Sequence, residues 1–171
     1  MNIRQANLED AAAIAKVHVE SWRTTYAGIL PDDFLSRLSY EEREHLWRKV
    51  LTEESRAVYV AENEGGSIVG FVSGGPERSG STPSEGEIDA IYLLAPYQRQ
   101  GIGRRLAVTL VNGLIQERMT SLLVWVLAAN PARKFYERLG GRAVFEKLTT
   151  IGGVSLSEVA YRWQDASSVK G

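Results

Sequence analysis

The chain has 171 residues, a net charge of −1, 44% apolar and 24% charged residues, which suits one compact α/β domain and predicts no broad nucleic-acid or membrane surface. The absence of cysteine excludes a catalytic thiol, a disulfide framework and a thiolate metal site, and with only His18 and His45 a multi-histidine metal centre is not expected. The N-terminal stretch lacks an apolar signal region, and no run approaches the eighteen or so apolar residues of a membrane span, so a cytoplasmic protein is expected.

Asn2 to Ala6 reads as a first strand. Asn7 caps the helix that follows, with Glu9 and Asp10 in its first turn, and Ala12, Ile14, Ala15, Val17, His18 and Trp22 keep helical spacing. Tyr26 to Pro31 interrupts, and Pro31 with two aspartates starts a second helix to about Leu51. Ala57 to Glu62 and Ser67 to Gly74 are strands joined by an Asn-Glu-Gly-Gly hairpin. Gly75 to Gly86, rich in Gly, Ser and Pro, reads as an exposed flexible loop. A strand over Glu87 to Leu94 stops at Pro96, a helix spans about Gly101 to Arg118, and Ser121 to Leu127 is a buried strand. Pro131 to Leu139 is a short helix ended by Gly140-Gly141. Strands over Arg142 to Thr150 and Val154 to Trp163 meet at Gly152-Gly153, and a polar tail follows Gln164, frayed in expectation. The order β-α-α-β-β-β-α-β-α-β-β, with two hairpin signals, predicts a single α/β domain over residues 1–165: a mixed sheet with helices on both faces and residues 166–171 as its tail.

The most informative segment is Leu93-Leu-Ala-Pro-Tyr-Gln-Arg-Gln-Gly-Ile-Gly-Arg-Arg-Leu106, where a strand gives way to a basic, glycine-containing turn and then a helix. Gly101 and Gly103 allow close approach of a ligand to the backbone. The free N–H groups of the helix start suit a pyrophosphate, and Arg99, Arg104 and Arg105 add positive charge. A tight loop with no ligand is the plain alternative. A dinucleotide fingerprint fails because Leu106 stands where its third glycine belongs, and a Walker A loop fails because Arg104-Arg105 replace Lys-Ser or Lys-Thr.

Gln98-Arg-Gln-Gly-Ile-Gly103 resembles the Gln/Arg-x-x-Gly-x-Gly/Ala signature of the Gcn5-related N-acetyltransferases. The likeness extends to Glu87-Ile-Asp-Ala-Ile-Tyr-Leu93 before the turn and to Asn130…Phe135-Tyr136-Glu-Arg-Leu-Gly140 after it. The resemblance implies an acyl-CoA N-acyltransferase fold and acetyl-CoA as acyl donor, with no metal, an amine as acceptor, and neither nucleic acid nor membrane as partner. Homodimers are frequent among such proteins. It places the pyrophosphate on Arg99, Gln100, Gly101, Ile102, Gly103 and Arg104, and the pantetheine arm along Ile91, Tyr92 and Leu93, with the Leu93 N–H polarising the thioester carbonyl. Asn130 matches an asparagine that contacts the pantetheine arm. Many members have one more residue between it and the tyrosine, however, so it could equally be the N-cap of its helix. Gly141 stands where Phe is common.

The same resemblance makes Tyr136 the acid that protonates the leaving thiolate, a phenol with an ordinary pKa of about 10; the alternative is an aromatic core residue. Glu87 matches a glutamate that serves as general base in some members. Asp89, two residues on, shares its strand face if the strand is regular. Either carboxylate could instead bind a cationic amine or be merely solvated. Trp22 and Tyr26 correspond to the acceptor-lining region, or else staple the helices to the sheet; Trp125 is open between core and pocket. His18 is expected to be packed and His45 solvated. An acetyltransferase acting by direct attack and a non-catalytic acyl-CoA sensor both keep the phosphate turn; only the enzyme needs Tyr136 and Glu87.

Overall fold

Seven strands hydrogen-bond in the order β1-β2-β3-β4-β5-β7-β6 in the computed structural model, which describes residues 1–80 and 82–169. They are β1 (Asn2–Gln5), β2 (Ala57–Glu62), β3 (Ile68–Pro76), β4 (Gly86–Leu93), β5 (Leu122–Leu127), β6 (Arg142–Ile151) and β7 (Val154–Trp163). Only the β4–β5 pair is parallel. The helices are α1 (Ala11–Thr25), α2 (Asp32–Ser36), α3 (Tyr40–Thr52), α4 (Ile102–Gln116) and α5 (Arg133–Arg138). This is the mixed α/β architecture expected from the sequence. Part of the expected loop (Ser81) and the end of the expected tail (Lys170, Gly171) lie outside the described residues.

The second helix differs from expectation: it is two helices. The Ser39 hydroxyl accepts the Glu42 N–H at 3.2 Å and so starts α3 afresh after α2 ends at Ser36. The tail also differs, because it does not fray at Gln164. Ala166 is buried and its N–H donates to the Thr120 carbonyl at 2.7 Å, while the Asp165 side chain caps the turn Ala166–Ser168.

The helices pack on both faces. Leu106, Ala107, Leu110, Val111 and Leu114 form the helical stripe that seats α4 against Ala61, Val72, Ile88 and Val124. On the opposite face, Ala11, Ile14, Ala15 and Val17 of α1 and Trp47 of α3 cover Val58, Val60 and Phe71. His18 belongs to this second layer, as expected. Its Nδ1 accepts the Trp47 Nε1–H at 3.0 Å, and its ring stacks on Tyr92 with centroids 5.4 Å apart.

Burial, helped by nearby Arg43, pushes the His18 pKa down to about 3. The folded histidine therefore stays neutral while the unfolded one protonates near 6.5, so stability falls as pH drops from 6.5 toward 3. The expected loss is about 2–3 kcal/mol by pH 4.5 from this group. Urea titration of wild type and His18→Gln at pH 7 and pH 4.5 checks it: the variant should lose less stability between the two pH values, and an equal loss would clear His18 of the effect.

Candidate active site

β4 and β5 pair at Gly86↔Leu122, Glu87↔Leu123 and Ile88↔Val124, and no further. Beyond Ile88 they diverge, leaving a V whose left wall is the backbone of the rest of β4. The divergence coincides with a β-bulge. Ser73 pairs with Ala90 and Gly74 with Ile88, so Asp89 is an extra residue with no partner on β3. The bulge reverses the alternation: Ile88, Ile91 and Leu93 all meet the α4 layer, while Ala90 and Tyr92 meet the α1 layer.

The open edge carries a usable donor. The Leu94 N–H is bonded to the Val69 carbonyl at 2.9 Å. Strand alternation then turns the N–H and C=O of Leu93 away from β3 and toward the V, and those of Ile91 likewise. Gln98 Nε2 donates to the Leu93 carbonyl at 2.9 Å and fixes the end of this edge against the turn that follows.

That turn is built to leave N–H groups free. Arg99 and Gly101 both adopt positive φ, 60° and 78°, a left-handed backbone that glycine takes without cost and arginine does not. Gly101 ends the turn as the N-cap of α4, with no side-chain cap and no acidic residue in the first turn. The first intrahelical bond is Arg105 N–H to the Gly101 carbonyl at 3.1 Å, so the N–H groups of Ile102, Gly103 and Arg104 have no helical acceptor. Such a concave set of donors with the helix dipole behind it favours phosphate oxygens. The Ile102 side chain is buried in the α4 layer, so only its backbone faces a ligand. Gln100 Nε2 donates to the Pro96 carbonyl at 2.9 Å, and Arg105 reaches the Met1 carbonyl at 3.5 Å. Arg99 and Arg104 are exposed and, among the described residues, form no ion pair.

Across the V, Tyr26, Tyr92, Asn130 and Tyr136 gather from the C-cap of α1, β4, the segment after β5, and α5. The Tyr26 and Tyr92 hydroxyls are 3.1 Å apart, and Asn130 Nδ2 donates to the Tyr26 oxygen at 3.4 Å. Asn130 Oδ1 also accepts the Ala132 N–H at 2.8 Å, so this buried amide holds the turn before α5, whose own N-cap is Ala132 and not Asn130, while its other end joins the tyrosines. Burial raises the pKa of Tyr26, of Tyr92 and of Tyr136; an ionised Tyr26 would further oppose ionisation of Tyr92 and Tyr136, whereas the hydrogen bonds of Tyr26 with Tyr92 and Asn130 pull its own pKa partly back. All three remain protonated donors across the neutral range. Trp22 packs edge-on to Tyr26 with centroids 5.0 Å apart. Its buried Nε1 lies near the Tyr92 hydroxyl without completing a hydrogen bond.

Glu87 and Asp89 stand at the apex of the V. The strand is not regular here, yet both carboxylates contact Arg78: Nη2 is 2.9 Å from Asp89 Oδ1 and Nε is 3.9 Å from Glu87 Oε2. Arg56 Nη1 lies 3.4 Å from Asp89. Burial outweighs both arginines and pushes the Asp89 pKa up to about 6. Trp125 faces the α1 side, in step with Leu127, which packs on Tyr26. Lys147 Nζ sits 3.9 Å over the Trp125 ring and 3.8 Å from Glu158, so Trp125 is not a core residue. Among the described residues, no hydrogen bond joins the Glu87–Asp89 pair to the tyrosine group. The side chains of Arg56, Arg78 and Gln98 complete the site. Gln98 was visible in the glycine signature, whereas the two arginines lie in segments that carry no motif.

The profile of the acetyltransferase (GNAT) family matches residues 17–141. The chain is 44% identical over 170 residues to the uncharacterized N-acetyltransferase YuaI of Bacillus subtilis, covering 99% of this chain and 96% of that protein. It is 30% identical over 169 residues to the probable N-acetyltransferase Rv2775 of Mycobacterium tuberculosis, covering 95% and 92%. In fold it is similar to the PaiA N-acetyltransferase of Thermoplasma acidophilum, solved in complex with coenzyme A, with a TM-score of 0.72 at 19% identity and coverage of 95% and 98%. It is also similar to YncA of Salmonella typhimurium, solved with acetyl-CoA, with a TM-score of 0.70 at 22% identity and coverage of 96% and 93%. With its open β4 edge, its glycine turn and these relatives along nearly its whole length, the chain belongs to the acetyltransferase (GNAT) family.

Proposed function

We propose that the protein transfers an acetyl group from acetyl-CoA to a primary amine of a small molecule or peptide, by direct attack in a ternary complex. The observation that carries this reading is the unpaired edge of β4, with the Leu93 N–H turned into the V, leading straight into the donor-rich turn before α4. The fit to acetyl-CoA is good on its own terms: an extended arm can add to the strand edge while a pyrophosphate takes the free N–H groups of Ile102, Gly103 and Arg104. Acetyl-CoA supplies the thioester; a C–N bond forms at its carbonyl carbon and the C–S bond breaks.

The residues divide the remaining work. The Leu93 N–H donates to the carbonyl oxygen and strengthens as charge develops there. The Tyr136 hydroxyl, held protonated by burial, gives its proton to the departing sulfur. Glu87 or Asp89 takes the proton that the amine gives up. With no cysteine in the chain, a cysteinyl acyl intermediate is impossible, which favours direct attack.

Isothermal titration with acetyl-CoA, beside NAD as control, tests the reading. A Kd in the micromolar range for acetyl-CoA alone supports it and licenses an amine screen by thiol release. No binding of acetyl-CoA removes donor and mechanism together.

A further inference from the structure

Glu87 and Asp89 share one exposed cation. Arg78 reaches both carboxylates from the segment between β3 and β4, and its backbone N–H also donates to Glu87 Oε2 at 3.4 Å. The carboxylate side chains are nearly covered, 13% and 11% exposed, whereas that of Arg78 is 59% exposed. Arg56 is the opposite case. Its side chain is 4% exposed and it is a fixed counter-charge for Asp89. Removing Arg56 would strand a buried charge, while Arg78, whose own side chain is mostly in solvent, keeps much of its hydration and exchanges more readily with another cation.

Position makes that exchange meaningful. Asp89 is the first residue past the last β4–β5 pair. Glu87 alternates with Ile88, which packs in the α4 layer, so Glu87 lies on the α1 face. Asp89, on the same arginine, shares that side. Phosphates held at the start of α4 leave this face free for the second substrate, and an amine reaching the open edge from it meets two carboxylates. Amines carry a proton at neutral pH and must lose it before attack.

We propose that Arg78 is a placeholder: its guanidinium occupies the subsite for the acceptor's ammonium on Glu87 and Asp89 and is displaced when the amine binds. The inference rests on the transfer reading above and names the acceptor class, an amine that binds as its cation. Charge balances through the exchange. The ammonium replaces one positive group, then passes one N–H proton to an Asp89 oxygen, leaving a neutral amine beside a neutral carboxyl.

The test compares the full chain with Arg78→Gln, using n-butylammonium as probe at neutral pH and the side-chain carboxyl 13C signals of Glu87 and Asp89 as readout. The variant should bind the probe about fivefold more tightly than wild type, the scale of one exposed ion pair. The Asp89 carboxyl should also titrate at higher pH in the variant, because of its two facing cations among the described residues only Arg56 then remains against Glu87 and Glu53. Arg78→Ala repeats the comparison without a side-chain amide. Equal or weaker probe affinity in both variants, including none in any protein, overturns the proposal and leaves Arg78 a structural clamp. Calorimetry with acetyl-CoA on the same samples separates the two readings: its failure strikes the transfer reaction, while the carboxyl signals still report on the exchange.

Discussion

Tyr136→Phe is expected to lower kcat for thiol release about tenfold or more, with acetyl-CoA affinity and thermal stability little changed. The ring is buried, stacks on Tyr161 with centroids 6.2 Å apart and lies edge-on to Phe135 at 5.3 Å. Phenylalanine keeps those contacts. Among the described residues the Tyr136 hydroxyl makes no hydrogen bond, so its removal leaves no buried partner stranded. What is lost is a proton donor whose pKa burial holds above the ordinary phenol value. Steady-state kinetics beside a melting curve decide the matter. Unchanged kcat takes Tyr136 out of the proton path, and a fall in kcat matched by a fall in Tm marks it as a packing residue.

Gly103→Trp should weaken acetyl-CoA binding roughly a hundredfold or more, equivalent to two charge-assisted hydrogen bonds of about 1.5 kcal/mol each, while the protein still folds. A Cβ at Gly103 meets only Phe135 ring carbons at 3.7 and 3.8 Å, an ordinary contact, so the helix itself accepts a side chain there. Gly101 is a different case: its φ of 78° demands glycine for conformation. At Gly103 the backbone makes no such demand, and an indole would stand over the free N–H groups of the first turn. Gly103→Ala separates the two effects, since a methyl group fits the helix and should leave much of the binding. Titration calorimetry and circular dichroism on both variants provide the check; retained binding in Gly103→Trp would put the phosphates elsewhere.

Much of the fold was legible because strands and helices here obey simple periods. Val58 and Val60 alternate with Tyr59 and Ala61 onto opposite layers, and the α4 stripe repeats at helical spacing. The α2–α3 break was not, since Ser36-Arg-Leu-Ser39-Tyr-Glu-Glu42 carries no proline or glycine and reads as continuous helix until the Ser39 hydroxyl is seen capping Glu42. The glycine turn announced itself through Gly101 and Gly103. The bulge did not, because one inserted residue looks like any other in a short strand. The partners of Asp89 were hidden for a related reason: Arg56 and Arg78 are brought to it by sheet register, which no local motif encodes. Tyr92 joins Tyr26, Asn130 and Tyr136 because the strand carrying it changes face.

That change of face has a further consequence. One residue, Asp89, sets the phase between the two halves of β4. Were Asp89 drawn into the ladder as an ordinary paired residue, Tyr92 would turn to the α4 layer while Ile91 and Leu93 turned toward α1. The edge donors would swap with them, since N–H direction and side-chain direction alternate together. The N-terminal carboxylate end of β4 and its C-terminal donor edge thus share one reading frame, and pairing Asp89 as a regular residue would turn the whole C-terminal half over without changing the composition of the strand.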